Sequence, residues 1–238
     1  APKYLGTLAF HDGMAAVKVF VGMRNHMSSK DMWGFINSQG ELQVEPIYDH
    51  CFSFTEGLAA VSVNGKIGFI NKEGYFVIPP KYDCARPFSE GLANVIYMDQ
   101  EKQLIFDQYI KPDGKIAFSM NYKIEKGKKL AEILSISHYL SPEHYEFQTE
   151  EKFNYRWFDF HDGLTARWLE IEPKVWKIGF RGKKGPFVIA PKFDSAEAFS
   201  EGLSKVKVAE KFGYINTKGE LIIPAAFKSA TDFSNGLA

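Results

Sequence analysis

The chain has 238 residues, and its 29 Lys and Arg balance 29 Asp and Glu, so its formal net charge is zero. A balanced chain has no global attraction for nucleic acid or an anionic membrane, and no apolar run approaches the ~20 residues needed to cross a bilayer. Apolar residues make up 45% and aromatics 15% of it, enough for a core at this size.

The 20 Gly and 11 Pro fall at regular places, as punctuation for short strands, which reads as an all-β chain. Two cysteines, Cys51 and Cys84, are too few for a disulfide framework and are expected to be free thiols. They leave the compartment open, with a secreted or cell-envelope setting the favoured one. The chain opens at Ala1 without a Met or a basic, apolar leader, as a processed or trimmed chain would.

In chain order, Phe10 opens a first unit with His11-Asp12-Gly13-Met14-Ala15. Its hairpin holds Met23, His26, Met27 and Met32, soft ligand types that suit copper or, as ordinary side chains, edge packing. Trp33-Gly34 through Gly40 and then Val44-Glu45-Pro46 complete the unit.

The second unit opens with Phe54-Thr55-Glu56-Gly57-Leu58-Ala59. Leu58 to Val63 suits a pleated strand, and Asn64-Gly65 predicts a two-residue type I′ hairpin. Lys66 to Asn71 forms the return strand, Asn71 and Gly74 bracket a turn, and Phe76 to Ile78 is the third strand. Pro79-Pro80 is expected to end it, because proline gives no N–H to a ladder. The mid-strand glycines Gly34, Gly68, Gly179 and Gly213 point to a bulge or a close backbone approach.

Phe88-Ser89-Glu90-Gly91-Leu92-Ala93 opens the third unit, in which Gln108 replaces the glycine. An insert over 119–158 follows. Within it, Leu130, Ile133, Leu134 and Ser137 at helical spacing predict a helix over 128–140. Ser141-Pro142-Glu143 reads as the start of a second short helix. His138, Glu143, His144 and Glu146 match no strong metal spacing and read as ordinary surface groups; no metal and no cofactor is expected.

Phe160 and Gly163 open the fourth unit, and Phe199 with Gly202 the fifth, which runs through Gly213 to Gly219 and Ile222-Ile223-Pro224. Phe233 opens a last start. The six starting phenylalanines stand 44, 34, 72, 39 and 34 residues apart, so the undecorated period is 34. About five three-stranded antiparallel meanders in one domain over 1–238 are thus expected, with repeats at 10–118 and 159–238. They form a curved open array or, alternatively, a closed propeller-like ring. Such a unit cannot bury its apolar face alone, so Phe54, Phe88, Phe160 and Phe199 should pack between neighbours. Gly57, Gly91, Gly163 and Gly202 follow them at the same offset.

These motifs resemble the WG-repeat family, also called KWG repeats. Those bacterial tandem repeats carry a Gly-aromatic-Ile-Asn strand, a Gly turn, Val-Ile-x-Pro and a Phe-x-Glu-Gly-Leu-Ala start. The Trp-Gly pair itself stands only at Trp33-Gly34, with Ile67, Ile178 and Phe212 before the other glycines. The resemblance implies a β-rich scaffold and no general catalytic constellation.

Interruptions of the repeat are where function is expected. The first, third and fourth units lengthen their first hairpin, and the fourth gathers Arg167, Trp168, Lys174, Trp176, Lys177 and Arg181. Basic and aromatic groups together suit a protein surface, a sugar or a phosphate-bearing polymer; a solvated hairpin with its Trp rings in the core is the plainer alternative. The expected activity is non-catalytic binding of a protein partner, with a carbohydrate or cell-envelope polymer as the alternative. A third reading is an enzyme using His138 or His144 where the insert meets the repeats. Nucleic-acid binding and membrane insertion are not expected.

Overall fold

A computed structural model describes residues 4–22, 30–99, 101–123, 159–173 and 175–237. The predicted helix over 128–140 lies outside these residues, as do Lys174, His138, Glu143, His144, Glu146, Met23, His26 and Met27. All regular structure among the described residues is β. The chain divides into two compact units, Ala1–Gln148 and Thr149–Ala238, with the division inside the insert.

In the first unit, sheet one is β1 (Gly6–Thr7), β2 (Met14–Val21), β3 (Lys30–Asn37) and β4 (Leu42–Tyr48). Sheet two is β5 (His50–Cys51), β6 (Ala59–Val63), β7 (Lys66–Ile70) and β8 (Phe76–Tyr82). Sheet three is β9 (Cys84–Ala85), β10 (Ala93–Asp99), β11 (Leu104–Ile110) and β12 (Ile116–Lys123). In the second unit, sheet four is β13 (Leu164–Glu172), β14 (Val175–Gly182) and β15 (Phe187–Phe193). Sheet five is β16 (Ser195–Ala196), β17 (Leu203–Val208), β18 (Lys211–Asn216) and β19 (Leu221–Phe227).

Three long strands per sheet follow the sequence reading. A fourth, two-residue strand in sheets one, two, three and five does not: the connector pairs back onto the first long strand, as His50 does with Ser62 and Cys51 with Val61. This pairing gives connector N–H and C=O groups partners that a bare loop would have to find in water.

The prolines do not end their strand. β8 runs through Pro79-Pro80 to Tyr82, with Phe69 opposite Ile78 and Ile67 opposite Tyr82, so Gly68 alone faces three residues. This wide bulge absorbs prolines that have no N–H to give a ladder. It also explains the glycine. A Cβ on Gly68 would stand 2.6 Å from the Ile78 carbonyl oxygen and 2.7 Å from the Pro80 nitrogen, both backbone atoms that cannot move aside. Gly34, Gly179 and Gly213 meet the same obstruction. In sheet three, where Gln108 replaces the glycine, the ladder instead continues without a break from Tyr109–Phe118 to Leu104–Lys123.

Each sheet with a neighbour in its own unit buries a face against it. Leu58, Ala60, Phe69 and Ile78 on the trailing face of sheet two pack with Ala93, Val95 and Ile110 on the leading face of sheet three. The same arrangement joins sheets one and two through Ala16, Phe35 and Val44 against Ala59, Val61 and Ile70. It joins sheets four and five through Ala166, Phe180 and Ile189 against Val206 and Ile215.

The starting phenylalanine of each next repeat closes the seam. Phe54 lies edge-on to Phe35 at 4.8 Å, Phe88 to Phe69 at 5.0 Å and Phe199 to Phe180 at 4.8 Å. Phe54, Phe88, Phe160 and Phe199 are all buried, whereas Phe10 is 52% exposed.

The repeated Glu-Gly is itself a turn. Glu56 and Gly57 have φ of 52° and 80°, and Thr55 and Leu58 exchange two backbone hydrogen bonds of 2.9 and 3.0 Å around them. This is the geometry of a type I′ turn. Asn64-Gly65 forms the expected one, with φ of 51° and 73°.

Candidate functional site

The alternation of side chains along β13 and β14 sorts the predicted site residues. Trp168 pairs with Ile178, and Glu170 with Trp176, on the trailing face. Arg167 opposite Gly179, Thr165 opposite Arg181 and Leu169 opposite Lys177 lie on the leading face. Arg167, Lys177 and Arg181 therefore share one side of the hairpin while Trp168 and Trp176 share the other. The six predicted residues do not form a single basic and aromatic platform, and Lys174 lies outside the described residues.

Each has its own local role. Trp168 is half-buried and packs against the core between sheets four and five. Lys177 forms an ion pair with Asp194, whose second oxygen accepts the N–H of Ala209 at 3.1 Å. Lys66 and Asp83 repeat this pairing at 2.6 Å, with the N–H of Met98 donating to Asp83 at 2.9 Å. Lys30 and Asp49 do so too, with the N–H of Asn64 donating to Asp49 at 2.9 Å. Lys177 thus belongs to a recurring device that ties one sheet to the connector and hairpin of the next. The hydrogen bond and charge from Lys177 hold the Asp194 carboxyl below the usual carboxylate range.

Arg181 donates from Nη1 to the Gly185 carbonyl at 2.6 Å, and its guanidinium lies 4.2 Å from the centre of the Phe187 ring. Arg167 is only 5% exposed. It occupies the position that Val17, Val61, Val95 and Val206 hold in the other sheets, all of them buried. Arg181 likewise stands where Ile36, Ile70, Ile110 and Ile215 stand. Sheet four alone carries a polar leading face. Aligning the repeats column by column would have shown it.

The exposed chemistry of this hairpin is apolar. Leu169, Ile171, Val175 and Trp176 are exposed near its tip, Trp176 to 46%. A register shift between Glu170 and Glu172 leaves Ile171 as the extra residue of a bulge. Sequence reasoning passed over Leu169, Ile171 and Val175 because alternating aliphatics read as a half-buried strand.

The other lengthened hairpins share this trait. Phe20 and Val21 are exposed toward the far end of β2. Exposed Tyr97 on β10 lies 6.0 Å, ring to ring, from Phe106 on β11, beside an Asp99–Lys102 ion pair at the tip. Met32 is half-buried and paired with Val19, and the other members of the proposed soft-ligand set lie outside the described residues. Among the described residues no group of three or more His, Cys, Asp or Glu is placed to hold a metal ion.

Cys51 and Cys84 are both free. Burial, reinforced by the Asp83 charge, pushes the Cys84 thiol up to about 12, and burial raises Cys51 as well.

Within each unit, sheets joined by buried starting phenylalanines and by Lys–Asp ties to the next connector define a tandem-repeat β scaffold. The sequence profile described as WG containing repeat matches residues 33–66, 67–96, 179–212 and 212–238, and the chain belongs to that family. The matches leave out residues 1–32 and 97–178, the latter holding most of the sheet that lacks the mid-strand glycine.

No curated protein matches the sequence. Among solved structures, one described as the crystal structure of the eukaryotic initiation factor is similar at a TM-score of 0.50 and 11% identity. The likeness covers 95% of this chain and 57% of that one, and it bears on the fold alone.

Proposed function

We propose that this WG-repeat scaffold is a non-catalytic binding protein that recognises a protein partner through its lengthened hairpins. The observation that carries this reading is the exposure of Leu169, Ile171, Val175 and Trp176 at the end of β13 and β14. Exposed aliphatic and aromatic groups on a projecting two-stranded rib suit the apolar centre of a protein interface.

The hairpins of sheets two and five, at Asn64-Gly65 and Ala209-Glu210, are shorter and close directly. At their tips only Val208 is an exposed large apolar residue, at 37%, against four in the fourth hairpin, so the larger apolar exposure goes with added length. A sugar or anionic polymer would need stacking rings and basic groups on one surface, and here Trp168 and Trp176 face away from Arg167, Lys177 and Arg181. That split disfavours a sugar, whereas a protein partner can grip both faces of the rib, Leu169 on one and Trp176 on the other.

The test is affinity capture from the native source with the full chain and with a Leu169→Ser, Val175→Ser, Trp176→Ala variant, compared by quantitative mass spectrometry. A protein retained by the first and lost by the second, with both equally folded by circular dichroism, supports the proposal. Identical captured sets overturn it.

A further inference from the structure

Four of the five outer strands guard their open edge in the same way. β4, β8, β15 and β19 each contain proline (Pro46, Pro79 and Pro80, Pro191, Pro224) and each bulges opposite a glycine. Proline and a bulge both spoil an edge for pairing with another strand.

β12 lacks both the proline and the bulge opposite a glycine, keeping only a one-residue bulge at Ala117 near its start. Its eight residues, Ile116–Lys123, contain no proline and no acidic residue. From Phe118 to Lys123 it pairs residue for residue with β11, because Gln108 has removed the glycine that seats the bulge. Among the described residues β12 is the outermost strand of its sheet. Ile116, Ser119 and Asn121 on it are exposed.

We propose that β12 is a strand-pairing edge, and that its occupant is β12 of a second copy, added antiparallel across a two-fold axis. An antiparallel edge is its own complement: a two-fold axis brings the N–H and C=O row of one copy against the same row of the other. Its one charged residue, Lys123, stands opposite Ala117 of the other copy in a register centred on residue 120, so no like charges meet across the pair. This register places Ser119 opposite Asn121 on the face that Gln108 shares, and Phe118 and Met120 on the other. The result is a continuous sheet of eight strands.

The test is sedimentation velocity on the full chain over a range of concentrations. It is run beside a Ser119→Lys, Asn121→Lys variant, a Ser119→Glu, Asn121→Glu variant, and an equimolar mixture of the two. Both positions are exposed, so each variant keeps its core. The expected result is a dimer for the unaltered chain, monomers for each variant alone, and recovery of the dimer in the mixture, with amide exchange over 116–123 slowed at high concentration. A chain that stays monomeric at every concentration overturns the proposal. So does a dimer that the lysine variant leaves unchanged.

Discussion

The carboxylate of Glu56 accepts the backbone N–H of Gly91 at 2.9 and 3.1 Å, so the turn that opens one repeat is tied to the turn that opens the next. Asp12 accepts from Gly57 at 2.8 Å, Asp162 from Gly202 at 2.9 Å, and Glu201 from Asn235 at 2.7 Å and Gly236 at 2.9 Å. The acidic residue pays the strain of positive φ to aim its carboxylate along the stack. Replacing Glu56 by Ala should cost about 1–2 kcal/mol, as loss of a charge-assisted bond to an N–H does, and Glu56→Gln, which keeps one acceptor oxygen, should cost less. Urea denaturation of the two variants measures the difference.

Gly68→Ala should destabilise by about 1–3 kcal/mol or more, because the new methyl meets backbone rather than a movable side chain. The reverse change at the equivalent position of sheet three, Gln108→Gly, should cost only about 0.5–1 kcal/mol, the ordinary penalty of glycine in a strand. Thermal melts of both variants test the asymmetry; equal costs would mean that the bulge does not depend on the glycine.

Phe88→Ala should cost about 3–5 kcal/mol, since the ring is buried and edge-on to Phe69. Phe10→Ala, at the corresponding but exposed position, should cost far less. Calorimetry on the two variants checks the contrast.

Asp194 has its folded pKa depressed by Lys177, so its contribution is present above the unfolded carboxylate value near ~3.9 and is lost as pH falls through the lower folded value. Both side chains are partly exposed, which keeps the effect modest. Lys177→Met should therefore be less stable than the unaltered chain at neutral pH, with the gap closing in acid. Urea midpoints from pH 7 downward test this; a gap independent of pH would assign the loss to packing.

Cys84 shifts the other way. Its thiol is held at about 12 when folded against ~8.5 in an unfolded chain. The stability it contributes is complete below the unfolded value and declines as pH rises toward the folded one. A thiol reagent at pH 8 should label Cys84 only as the protein unfolds, and Cys84→Ala should lessen the loss of stability above pH 9.

The period, the starting phenylalanines and the Gly68 constraint were all legible in the sequence, because each depends on residue type at a fixed spacing. Asn64-Gly65 was legible as a turn, but Glu56-Gly57 was not, since the longer Glu side chain gains its positive φ from a hydrogen bond 35 residues away. Pro79-Pro80 misled for a related reason: the rule that proline ends a strand holds for a regular ladder, and the bulge opposite Gly68 is not one. At the candidate site, adjacency in sequence hid separation in space. Arg167 and Trp168 are neighbours along β13 and therefore point to opposite faces.

The turn-to-turn bonds also give each stack a direction. Every joined repeat offers an acceptor to the repeat after it and a donor to the one before. A duplicated repeat spliced between two others in the same orientation would find both partners waiting, whereas one docked in reverse would set carboxylate against carboxylate. Growth by duplication is thereby favoured over growth by inversion, and the rule is written in a single acidic residue per repeat.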